Sequence, residues 1–139
     1  GDCGGFDDNG FPALRASVKE STDGPTASIG SCRADADTLC LGGNRFAIEM
    51  TWRNQFNNES GVGVPKKLSE LTGAFSYTDP NNLEILIKAL EFPDRVLVLY
   101  GALSNLEYTL RVTEPTTGAV KTYANPAGRY CGGFDNDAF

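Results

Sequence analysis

From Arg45 to Arg53 the chain reads RFAIEMTWR, apolar and polar residues alternating one for one. Side chains of an extended backbone point to opposite faces with a period of two. This spacing therefore gathers Phe46, Ile48, Met50 and Trp52 on one buried face as a β-strand, with Arg45, Glu49, Thr51 and Arg53 on the other. Leu106–Thr113 repeats the pattern, with Leu106, Tyr108, Leu110 and Val112 inward. Leu14–Val18 and Val120–Tyr123 are shorter versions. Leu83–Leu90 also fits a helical spacing, but β-branched Ile85 and Ile87, and the Asp79-Pro-Asn-Asn82 turn before them, predict a strand. Val96–Leu103 is apolar on both faces, as in a central strand covered on either side.

Turn residues punctuate these runs. Glu114-Pro-Thr-Thr-Gly118 predicts a hairpin loop, and Asn125-Pro-Ala-Gly128 a turn after the last strand. The polar segment from Asn54 to Gly63 reads as a long surface loop. Roughly eight or nine short strands with regular turn signals predict an all-β fold, an Ig-like antiparallel β-sandwich. At 139 residues the chain is expected to form a single domain over 1–139 with a core of its own.

Four cysteines, at 3, 32, 40 and 131, accompany a complete absence of histidine. Zinc sites of the usual spacing are thereby excluded, and an even count predicts disulfides. Cys32 and Cys40 flank a short polar loop that they could staple, which would leave Cys3 for Cys131. Disulfides imply an oxidising compartment, so the expected location is extracellular or at the cell surface. No basic-then-apolar leader opens the chain, as expected of a processed chain. No run reaches the roughly 20 apolar residues of a membrane helix. The strands are mostly too short for a lipid-facing barrel. A net charge of −6 and scattered basic residues argue against nucleic acid and against an anionic membrane surface.

The segment 39–126 carries a recurring pattern: LCL, RFAIEMTWRN, GVGVP, GAFSYTDPNNLEILIKAL and VLVLYGALSNLEYTLRVTEPTTGAVKTYANP. In its Trp-Arg strand, Asp-Pro-x-Asn turn, Gly-Ala-Leu-Ser-Asn step, Thr-Gly hairpin and Asn-Pro turn it resembles an accessory Ig-like β-sandwich domain of bacterial secreted and surface proteins. The resemblance implies architecture and an accessory, non-catalytic role beside enzymatic or lectin-like domains. Outside that pattern lie two copies of one pentapeptide, Cys3-Gly-Gly-Phe-Asp7 and Cys131-Gly-Gly-Phe-Asp135.

Without histidine there is no Ser-His-Asp or Cys-His arrangement. The paired carboxylates Asp7/Asp8 and Asp135/Asp137 lie in glycine-rich ends, where a preorganised cleft is not expected. Gly42-Gly43 and Gly61-Val-Gly63 lack the strand–loop–helix context of a phosphate loop. The chain is therefore expected not to be an enzyme. Three other uses remain. Asp7, Asp8, Asp135 and Asp137 are candidate oxygen ligands for calcium, which needs six to eight of them. Phe56, Tyr77 and Tyr130 are candidate exposed aromatics for stacking on a polysaccharide. Cys3, Phe6, Cys131 and Phe134 are candidates for head-to-tail self-association, in which an extended end adds to a neighbour's sheet. The alternative for the same four residues is closure within one chain, with Phe6 packed near Phe134. The function expected from the residues is an extracellular structural or adhesive module, a filament subunit in its assembled form. A carbohydrate-binding module is the alternative.

Overall fold

The computed structural model describes residues 31–139. The order of elements is β1 (Leu39–Leu41), β2 (Phe46–Asn54), β3 (Glu59–Val62), β4 (Val64–Lys67), β5 (Thr72–Ser76), β6 (Ile85–Phe92), β7 (Arg95–Ala102), β8 (Glu107–Glu114), β9 (Ala119–Asn125) and β10 (Gly133–Asp135). No helix occurs among the described residues, and every pairing is antiparallel. The protein is an antiparallel β-sandwich. The predicted strand Leu14–Val18 lies outside the described residues.

One sheet has the order β1-β2-β8-β9, with β3 also paired to β2. Ile48 pairs with Leu39 on one side and Val112 on the other, while Thr51 pairs with Val62 and Thr109. β1 and β3 therefore follow one another along the same side of β2. The second sheet runs β10-β7-β6-β5-β4. Between the sheets lie the side chains that alternation placed inward: Phe46, Ile48 and Met50 from β2, Ile85 and Ile87 from β6, Val96 and Val98 from β7, and Tyr108, Leu110 and Val112 from β8. Each such aliphatic or aromatic side chain contributes about 1.5–3 kcal/mol by leaving water. The ambiguous Leu83–Leu90 segment is a strand, β6, because its partners on both sides demand period two: Ile85, Ile87 and Ala89 are buried while Leu86 and Lys88 face out.

One expectation is corrected. Asn54–Gly63 is not a long loop. Asn57 and Asn58 turn back onto the Asn54 carbonyl, and Glu59–Val62 returns as β3 against β2. Along β7, Val96 and Val98 are fully buried, whereas Leu97, Leu99 and Gly101 on the outer side are half-buried among the described residues. The Glu114–Gly118 hairpin forms as expected, with the Glu114 carbonyl accepting from the amides of Thr117 and Gly118.

The chain changes sheets at Gly63, whose amide donates to the Met50 carbonyl at 2.7 Å. A Cβ at Gly63 would run into Met50 Cε, and Met50 is fully buried. A side chain at the corner between β3 and β4 would therefore have to displace the packed Met50 side chain. Gly63→Ala is expected to lower stability by about 1–3 kcal/mol through overpacking. Urea unfolding monitored by the fluorescence of Trp52 measures it, and an unchanged midpoint would show that Met50 gives way freely.

Candidate functional site

The second copy of the pentapeptide is part of the fold. Gly133, Phe134 and Asp135 form β10 and pair with Tyr100, Leu99 and Val98 of β7. Gly132 precedes them where a Cβ would lie 2.5 Å from the Tyr100 carbonyl oxygen, so the backbones approach more closely than a side chain allows. The buried side chain of Asn125 sets up this approach. Its Nδ2 donates to the carbonyls of Leu106 and Arg129, and its Oδ1 accepts from the Cys131 amide at 2.9 Å. Tyr108 crosses the core to donate to the Cys131 carbonyl at 3.0 Å. Cys32 and Cys40 form the predicted disulfide. Cys131 is buried and also disulfide-bonded. Cys3 and Phe6, expected near it, lie outside the described residues.

Alternation along β9 turns Lys121, Tyr123 and Asn125 inward, and β10 turns Asp135 to meet them. The side chains of Lys121 and Asp135 are 1% and 3% exposed, with Nζ 3.4 Å from Oδ2. Tyr123 donates its hydroxyl to the same Oδ2 at 2.9 Å, and the Asp137 amide donates to Oδ1 at 3.1 Å. Lys121 Nζ donates in addition to the Asp137 carbonyl at 3.4 Å. The last residues seal this seam: the Ala138 amide donates to the Val96 carbonyl, and Phe139 packs on Phe46 with ring centroids 5.3 Å apart.

The Asp135 carboxylate, a candidate calcium ligand, is here bonded to an ammonium and a phenol. Among the described residues no three His, Cys, Asp or Glu side chains gather where they could hold a metal ion. Asp7 and Asp8 lie outside the described residues, and Asp137 is exposed beside the seam.

The two outer faces differ. On β2 and β8 the outer side chains are charged or polar, with Arg53 paired to Glu107 at 3.0 Å and Arg111 to Glu49 at 3.5 Å. On the other sheet, Leu86, Leu99, Gly101 and Phe134 border a shallow groove of about 600 Å³ in which Lys88 is the only charged side chain among the described residues. Leu86 is 41% and Phe134 46% exposed. Contiguous apolar surface of this kind is a usual mark of a contact site.

The aromatic candidates separate. Phe56 and Tyr130 are 71% and 64% exposed, whereas Tyr77 is 8% exposed, packed against Trp52 and sharing a 2.7 Å hydrogen bond with Ser104. Tyr77 is thus a core residue, because β5 continues into it with its ring turned under Trp52. Phe56 and Tyr130 belong to neighbouring loops. The Asn105 carbonyl accepts from both Gln55 Nε2 and the Gly128 amide, joining the two loops at one end of the sandwich.

Sequence reasoning did not single out Lys121, Tyr123 or Asn125. The available signal was phase: Lys121 shares the parity of Tyr123 on a short strand, and so had to point inward with it. Comparison of the chain with models of protein families, with curated proteins and with solved structures found no match. No helix among the described residues is long and apolar enough to cross a membrane.

Burial holds the hydroxyls of Tyr108 and Tyr123 protonated far above the usual phenol range, with the Asp135 carboxylate adding to the effect at Tyr123. Burial also raises Tyr100 and Tyr77. In the unfolded chain these groups ionise near their ordinary value of 10.0. Above that pH the unfolded state binds fewer protons than the folded one, so stability falls as pH rises; below it their contribution is constant. The urea midpoint is expected to hold steady from about pH 8 to 9 and to drop beyond about pH 10. A flat profile through that range would show that the buried phenols ionise in place.

Proposed function

We propose that this protein is a non-enzymatic, extracellular structural or adhesive module that associates with further copies of itself. The observation that carries the reading is the apolar outer face on β6, β7 and β10, set against the ion-paired outer face of the opposite sheet. Its occupant is the amino-terminal pentapeptide of a neighbouring molecule. Cys3–Asp7 repeats the residues that end in β10, the strand whose Phe134 borders this face, and an extended segment of that sequence brings a second phenylalanine to the same apolar surface. Charge favours the match: Lys88 is the one charged side chain of the groove among the described residues, and Phe6 is followed by Asp7 and Asp8. The repeating arrangement is head-to-tail, which propagates as a filament when the rotation between subunits does not close. Disulfides support placement outside the cell.

Light scattering across a concentration series and electron microscopy of the full chain test this. Multimers are expected, with a shift to monomer for Phe134→Ser, Leu99→Ser or removal of residues 1–10. A monomer at all concentrations overturns the reading, as does polymer formation that all three changes leave intact.

A carbohydrate-binding module is the second reading, favoured by the exposed Phe56 and Tyr130 on loops joined through Asn105. Ring faces so placed suit stacking on pyranose rings. It predicts retention of the protein on insoluble polysaccharide, abolished by Phe56→Ala with Tyr130→Ala. A protein that passes through unretained removes it.

A further inference from the structure

We propose that Lys121 and Asp135 condense to an intramolecular amide that joins the two sheets covalently across the β9–β10 seam. The two groups are held in a closed place, with side-chain exposures of 1% and 3% and a separation of 3.4 Å between Nζ and Oδ2. As an ion pair the arrangement is poor. Charge-assisted hydrogen bonds of this kind usually measure about 2.7–2.9 Å. The ammonium has three protons to donate, and its two acceptors among the described residues, Asp135 Oδ2 and the Asp137 carbonyl, both stand at 3.4 Å. Desolvating both charges is costly, and a loosely made pair recovers only part of that cost. An amide carries no charge and needs no such recovery.

The surrounding groups fit the reaction. The Asp137 amide holds Oδ1, and the Tyr123 hydroxyl donates to Oδ2 at 2.9 Å. Together they fix the plane of the carboxyl and draw electron density from its carbon, as paired donors do for an acyl group under attack. In the step, Lys121 Nζ bonds to Cγ of Asp135, the Cγ–Oδ2 bond breaks, and Oδ2 departs as water. Ammonium and carboxylate bring three protons to the step: one stays on the amide nitrogen and two leave with Oδ2. Nothing is oxidised or reduced, and no co-reactant is needed. Tyr123 acts as the proton carrier, giving its proton to the departing oxygen and recovering one from the nitrogen. Burial keeps that hydroxyl protonated before the step. The Asp137 carbonyl, accepting from Nζ, orients the nitrogen. Condensation in water is normally uphill. Reactants fixed at contact distance have effective concentrations of about 10⁵ M or more, and the water released leaves a site closed to its return.

The test is the intact mass of the full chain after complete reduction of its disulfides. The expected value lies one water below the mass of the linear, fully reduced chain, and Lys121→Arg brings the variant to its own full linear mass. Proteolysis then yields one branched peptide containing both Lys121 and Asp135, with no tryptic cleavage after Lys121. A full mass together with cleavage after Lys121 in the folded, purified protein overturns the proposal, and that measurement needs no variant. Tyr123→Phe keeps the ring and removes the proton carrier, so the product should appear slowly or incompletely. Formation at the unaltered rate would overturn the role given to Tyr123.

Discussion

Asp135 accepts hydrogen bonds on both carboxylate oxygens in a place that water does not reach, and much of the molecule is arranged around that fact. A buried carboxylate is tolerable only where donors surround it. Lys121 and Tyr123 arrive from β9, and the Asp137 amide arrives from the tail. Their convergence requires β10 to sit against β7, which requires glycine at 132 and the three hydrogen bonds of Asn125. Once the seam is made, the tail lies across the end of the sandwich and Phe139 covers Phe46. Arg45 bridges Glu91 and Glu114 beside it, tying β6 of one sheet to β8 of the other.

The same placement of β10 has a consequence on the other side of the strand. With Asp135 turned in, Phe134 is turned out, beside Leu99 with which it pairs in register. The face this creates is apolar where that of the opposite sheet carries cross-strand ion pairs. Antiparallel sandwiches usually leave their outer faces polar. The pentapeptide thus has two sides, its aspartate inside the fold and its phenylalanine on the apolar outer surface.

Alternation along β2, β8 and β6 was readable because each strand has one dry face, which leaves a period-two imprint on composition. The hairpin at Glu114–Gly118 was readable from turn chemistry. β3 was not. Glu59-Ser-Gly-Val62 is polar and mostly exposed, so it pairs through backbone hydrogen bonds that leave no pattern in side chains. Tyr77 was misplaced for a related reason: an aromatic beside a Thr-Asp-Pro turn looks exposed unless Trp52 is known to lie against it.

What the chain determined by itself is local: which segments extend, which faces they bury, where they turn, and an even set of cysteines available to pair. These follow from steric and hydrophobic preferences within a few residues. What only the tertiary structure decided is which strands are neighbours in space. Lys121 and Asp135 are 14 residues apart and belong to different sheets, so nothing in either strand foretells their meeting. That meeting depends on a crossover closed by Asn125 and on close backbone approach at Gly132. Both are properties of the assembled sheets and of no single segment.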